Sequence, residues 1–124
     1  MSAVHRIAEL AVAALFLVGA LFNVLYTLRH GEEFYGSFAA NAWLPAARAL
    51  IPRVVVPHAR LITLLLAAFQ LLVAGLIVVG GDLAAVGLTL GAIFSLLAST
   101  VSSKGGALGN VVLGFLMALL AYMP

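Results

Sequence analysis

Apolar positions in this chain neither alternate nor keep to one helical face; they run. Four nearly unbroken apolar stretches cover residues 7–28, 61–79, 83–101 and 107–123, and only one of the connections between them, 29–60, is long. At about 1.5 Å of rise per residue each stretch reaches roughly 25–33 Å, enough to cross a hydrocarbon core of about 30 Å. Runs of this length and purity predict helices surrounded by lipid. The expected fold is therefore all-α: an integral membrane four-helix bundle with a long, partly interfacial connection between its first and second helices. Residues 1–124 form a single transmembrane domain in this reading.

The breaks between runs are chemically ordinary helix ends. Leu28-Arg29-His30-Gly31 closes the first run with charge and a glycine, and Pro57 precedes the second, where a missing N–H costs nothing. Gly80-Gly81-Asp82 is a turn, with Asp82 placed to cap the third helix, so the second and third helices form an antiparallel hairpin. Ser102-Ser103-Lys104-Gly105-Gly106 makes the next short turn and sets the fourth helix beside the third.

The connection mixes Arg29, Arg48, Arg53 and Arg60 with Glu32 and Glu33, and distributes Phe34, Tyr35, Phe38, Trp43, Leu44, Leu50 and Ile51 among them. Rings and arginine stems together suit the headgroup level of a bilayer. Residues 44–51 give no clean amphipathic helix, because Arg48 falls near Leu44 on the wheel. The segment reads as interfacial or lid-like, broken by Pro45, Pro52 and Pro57; a floppy loop of this length would be unusual in a compact domain.

Composition agrees and narrows the chemistry. Charged residues are only 8% of the chain, against roughly 25% in an ordinary soluble domain. A net charge of +2, dispersed along the chain, gives no nucleic-acid footprint. The absence of cysteine excludes thiol catalysis, thiolate metal sites and disulfides. The first apolar run exceeds the roughly 7–15 residues of a signal-peptide core, so a retained first helix is expected. Arg29, Arg48, Arg53, Arg60 and Lys104 fall on one side of the four spans and Arg6 alone on the other. The positive-inside rule then predicts a multi-pass protein of the cell inner or plasma membrane, with the long connection cytoplasmic and both termini outside.

Small residues recur every fourth position on the third helix at Gly87, Gly91, Ser95, Ser99 and Ser103, and the fourth carries Gly105, Gly109 and Gly114. Such ridges let helix backbones approach closely within one chain, or between two copies. They drift by about 40° per step, so one partner does not use the whole ridge. Intramembrane polar residues are the functional candidates. Asn23, Tyr26, Thr63, Ser95, Ser99, Thr100 and Asn110 fall toward the side of the long connection, with Gln70 deeper. Ser and Thr ordinarily bond their own helix, whereas a buried amide needs a partner. The ligand-binding candidates are Asn23, Tyr26, Trp43, His58, Gln70 and Asn110, forming a polar pocket for the head of an amphiphile. No nucleophile–base set, paired carboxylates or phosphate loop is present, so no catalytic residue is assigned and enzymatic activity of the chain alone is not expected. His30, Glu32, Glu33 and His58 have no ligand spacing, and no metal is assigned.

Residues 69–88, FQLLVAGLIVVGGDLAAVGL, resemble the central region of DoxX-like membrane proteins. Those are small four-helix proteins with a long first connection, a proline before the second helix and a glycine-punctuated hairpin between the second and third helices. Gln70 stands where that family often carries an acid. Some members are linked to quinone-coupled oxidation of sulfur compounds or to oxidative-stress complexes, so the resemblance implies a redox accessory with a quinone as possible cofactor. Two other classes compete: a structural subunit of a larger membrane complex or homo-oligomer, and a small-molecule or cation transporter using Glu9. The expected partners are thus the lipid bilayer, a lipophilic small molecule, and other membrane subunits or a second copy.

Overall fold

The computed structural model describes residues 3–123, and all the regular structure among them is helical. Helix α1 (Ala3–Phe22) continues through a widened π-type turn, Asn23–Thr27. After α2 (Gly31–Asn41) and the short α3 (Pro45–Leu50), a second π-type stretch (Ile51–Val55) and a 3-10 turn (Val56–His58) lead into α4 (Ala59–Val79). Helices α5 (Gly81–Ser99) and α6 (Lys104–Tyr122) complete the chain. Four helical stretches are long and apolar enough to cross a membrane: Ala3–Thr27, Pro45–Val79, Gly81–Ser99 and Lys104–Tyr122. Their outer faces carry exposed Leu17, Leu65, Leu72, Leu97 and Leu119, a surface suited to lipid rather than water.

The connection 29–60 is more regular than a proline-broken segment. Pro45 starts α3 at a position where no N–H is needed. Pro52 and Pro57 each remove a donor from the α ladder, and the chain answers by changing its winding, not by leaving the helix. Tyr35, Ala39, Ala42, Ala47, Ile51 and Ala59 bury one another in a small core of their own. The Trp43 indole donates to the Ser99 carbonyl at 2.6 Å and its backbone N–H donates to Ser102 at 2.9 Å, so the segment is fastened to the end of α5.

A second core joins the long helices: Val12, Ala13 and Phe16 of α1, Val73, Ala74 and Ile77 of α4, Leu88 and Ala92 of α5, and Met117 of α6. Packing is extensive between α5 and α6, α1 and α4, and α4 and α5, whereas α1 and α6 touch only sparingly. The small ridge on α5 serves several neighbours. A Cβ on Gly87 would lie 3.1 Å from the Val73 carbonyl oxygen of α4, whereas one on Gly91 would meet Met117 of α6 and Phe16 of α1. Gly114 sits against Leu96 and Ala92 of α5, but Gly105 and Gly109 face open space.

Between α4 and α5 the backbone takes positive φ at Gly80 (90°) and Gly81 (59°), a geometry L side chains resist. Asp82 lies inside the first turn of α5 and makes no cap bond; its charge still suits a helix start. Here the far end of α1 intervenes. The Arg6 guanidinium donates to the Ile77 carbonyl at 2.7 Å and to that of Val78, finishing α4. Arg6 also bonds Glu9 at 3.0 Å, and the other Glu9 oxygen lies 3.2 Å from His5 Nε2.

Candidate functional site

Within the long helices, most hydroxyls are consumed locally. Thr89, Ser99, Thr100 and Ser102 each donate to a carbonyl one turn back. Thr63 reaches across instead, 2.8 Å from the Tyr35 hydroxyl. Burial pushes the Tyr35 phenol up, with the Thr63 bond pulling the other way, so the group stays neutral.

The amides behave differently. Asn23 is buried at the start of the π-type turn, and its Nδ2 donates to Gln70 Oε1 of α4 at 2.7 Å. Gly19, one turn earlier, makes room for this pair: a Cβ there would stand 2.6 Å from Gln70 Nε2. Gln70 therefore lies flat on the α1 backbone with its oxygen engaged. Its –NH2 group donates to no group among the described residues.

Gln70 lines a cavity of about 250 Å³ together with Leu15, Phe16 and Gly19 of α1, Phe94 and Ser95 of α5, and Asn110 and Leu113 of α6. The cavity occupies the seam where α1 and α6 fail to close on each other. Asn110 spends its Nδ2 on Ser102 Oγ (3.2 Å) and the Gly106 carbonyl (3.0 Å), leaving Oδ1 without a donor among the described residues. The Ser95 hydroxyl, on a residue only 2% exposed, makes no hydrogen bond among them either. One donor, one acceptor and one hydroxyl thus line a recess walled by Phe16, Phe94, Leu15 and Leu113. Open hydrogen-bonding groups on an apolar wall can be matched by a small molecule, and leaving a buried polar group unmatched is costly.

Of the six residues expected to bind ligand, the structure brings Gln70 and Asn110 to this cavity, with Asn23 behind Gln70. The other three lie elsewhere. Tyr26 is exposed and stacks between Phe22 (5.1 Å between centroids) and His30 (4.6 Å). Trp43 holds the connection to α5, and His58 lines a separate groove with Pro57, Arg60, Leu61 and Leu64. Gly19 is the residue that sequence reasoning passed over, whereas Ser95 stood among the intramembrane polar candidates and was set aside because a serine ordinarily bonds its own helix. Ser95 resembled one more packing residue on the small ridge, and the only sign of Gly19 was a lone glycine inside an apolar helix.

Among the described residues no group of three His, Asp or Glu side chains is placed to hold a metal. Compared with protein-family models, with curated proteins and with solved structures, the chain matches none.

Proposed function

We propose that this chain is a multi-pass membrane protein whose long helices form a bundle open along the α1–α6 seam, and that the seam admits a lipophilic ligand with a polar head, of which a quinone is the best fit. The observation that carries this reading is the cavity's complement of open groups. The Gln70 –NH2 suits a quinone carbonyl, Asn110 Oδ1 suits the hydroxyl of the reduced form, and Phe16 and Phe94 suit the ring. The likeness of residues 69–88 to DoxX-like proteins supports a redox accessory role in the same direction. Nothing in the cavity performs electron transfer by itself, so the chain would hold the carrier for a partner.

Glu9 gives the transporter reading little help, since its carboxylate is already engaged by Arg6 and His5. The complex-subunit reading has one observation in its favour. Helix α6 presents Leu108, Val112, Phe115 and Leu119 outward, with Gly105 and Gly109 uncovered beside them.

Titration of a short-chain quinone into the detergent-solubilised protein tests the ligand reading. Ser95→Ala removes a hydroxyl with no structural bond to lose, and Asn110→Ala removes the open acceptor. Each should weaken binding several-fold, since a neutral hydrogen bond contributes about 0.5–1.5 kcal/mol net. No saturable binding by the parent, or equal binding by both variants, leaves the subunit reading in its place.

The arrangement across the membrane is tested separately. Single cysteines at Arg48 and Lys104 should label with an impermeant thiol reagent from one side, and at Ala3 and Gly81 from the other. Labelling of Arg48→Cys and Ala3→Cys from the same side in intact cells would overturn the topology.

A further inference from the structure

A second cavity, of about 430 Å³, lies between the turn 28–30, the start of α2, the 3-10 turn Val56–His58 and the start of α4. Leu28, Val56 and Pro57 form its apolar floor, and Arg29, Glu32, Glu33 and Arg60 line it with charge. Two guanidinium groups and two carboxylates share one recess, yet none of the four makes an ion pair among the described residues; the pairs found there all involve Glu9 at the opposite end of α1. His30 is held apart from them, its Nδ1 against the Tyr26 carbonyl and its ring on Tyr26. Gly31 lets α2 approach α4 so closely that a Cβ would stand 2.9 Å from that of Ala59. The start of α2, which carries Glu32 and Glu33, therefore lies directly against the start of α4, which carries Arg60.

The ligand that answers such a lining carries both signs. An anion would satisfy the arginines but face two carboxylates, and a cation would meet the reverse. A second feature says where the rest of that ligand goes. A groove of about 400 Å³, lined by Pro57, His58, Arg60, Leu61 and Leu64, shares Pro57 and Arg60 with the charged cavity. It runs onto the outer face of α4, where Leu61 and Leu64 are exposed. A charged recess passing into an apolar track along a membrane-length helix has the form of a lipid.

We propose that this cavity binds the headgroup of a zwitterionic phospholipid, its phosphate against Arg29 and Arg60 and its primary ammonium against Glu32 and Glu33, with an acyl chain lying over Leu61 and Leu64. The proposal rests on the membrane-spanning reading above, but not on the quinone site. Arg–phosphate and ammonium–carboxylate contacts are both charge-assisted, and a primary ammonium offers donors that a quaternary one lacks. Phosphatidylethanolamine should accordingly be preferred over phosphatidylcholine and phosphatidylglycerol.

The protein is equilibrated in mixed micelles containing equal amounts of these three lipids, and retained lipid is counted by native mass spectrometry. Phosphatidylethanolamine should be retained several-fold over the other two. Arg29→Gln with Arg60→Gln should lower its retention about tenfold. Glu32→Lys with Glu33→Lys should transfer the preference to phosphatidylglycerol, a gain that misfolding does not produce. Soluble phosphoethanolamine and inorganic phosphate, each added as competitor, should displace the lipid only at far higher concentration, because neither reaches the track on α4. Equal retention of the three lipids, or a preference that survives both charge changes, overturns the proposal. Displacement by phosphoethanolamine at concentrations matching the lipid overturns its acyl-chain part. Unchanged quinone titration in the arginine variants separates this site from the seam, whereas a parent that fails to incorporate into vesicles removes the membrane reading on which both depend.

Discussion

Gly91→Leu is expected to destabilise the protein severely, while Gly109→Leu leaves it unchanged. Both are glycines on a long apolar helix, and composition does not distinguish them. At Gly91 a Cβ alone would stand 2.9 Å from Met117 Sδ and 3.0 Å from Phe16 Cζ. Met117 is fully buried, and the Phe16 ring is backed by Phe94 at 6.2 Å between centroids. Methionine yields more readily than most side chains, but the three further carbons of leucine would have to displace the ring as well. Overpacking of this kind costs about 1–3 kcal/mol and sometimes more. At Gly109 nothing lies within 4 Å of the added atom. Heat-induced unfolding in detergent, followed by helical circular dichroism, compares the two. Equal midpoints for parent and Gly91→Leu would refute the close approach of α1, α5 and α6.

Gln70→Leu should also destabilise, and a second substitution should repair most of the loss. The bond from Asn23 Nδ2 to Gln70 Oε1, at 2.7 Å, is the only one found for the buried Asn23 side chain among the described residues. Leucine at position 70 strands that amide in an apolar setting, at a cost of about 1–3 kcal/mol. Replacing both residues with leucine removes donor and acceptor together, and such paired replacements are nearly neutral. Denaturant titrations of parent, two single variants and the double variant in mixed micelles form the cycle. A double variant as unstable as the sum of the singles would show that the amides are not coupled.

The four long helices were legible because lipid-facing helices need uninterrupted apolar runs, and because Pro, Gly and charge mark their ends. Those bounds shifted by a few residues, α4 beginning at Ala59, but helical winding also runs back from α4 to Pro45 through two changes of turn. That difference is physical. A change of winding at Pro52 and Pro57 carries a helix past two residues that ordinarily stop one, and no compositional signal separates a π-type or 3-10 turn from a break. Helix α3 is six residues long, with Leu44 extended ahead of it, too short for an amphipathic pattern to emerge. At the seam, Gln70 and Asn110 stood out as costly amides in lipid. Their separation from Tyr26, Trp43 and His58 depended on helix rotation, which depth along a span does not reveal. Ser95 was visible as an intramembrane polar residue, but a serine on a packing ridge and one lining a cavity look alike until the neighbouring helix is in place.

The hold of Arg6 on the last carbonyls of α4 has a practical consequence for handling this protein. The side chain that finishes that helix lies 71 residues upstream of the Ile77 carbonyl it binds, in the first turn of α1. Trimming the amino terminus past that point would leave two carbonyls uncapped at the Gly80–Gly81 corner and Glu9 without its arginine. A truncation that removes Arg6 therefore acts on the end of α4 as well as on α1.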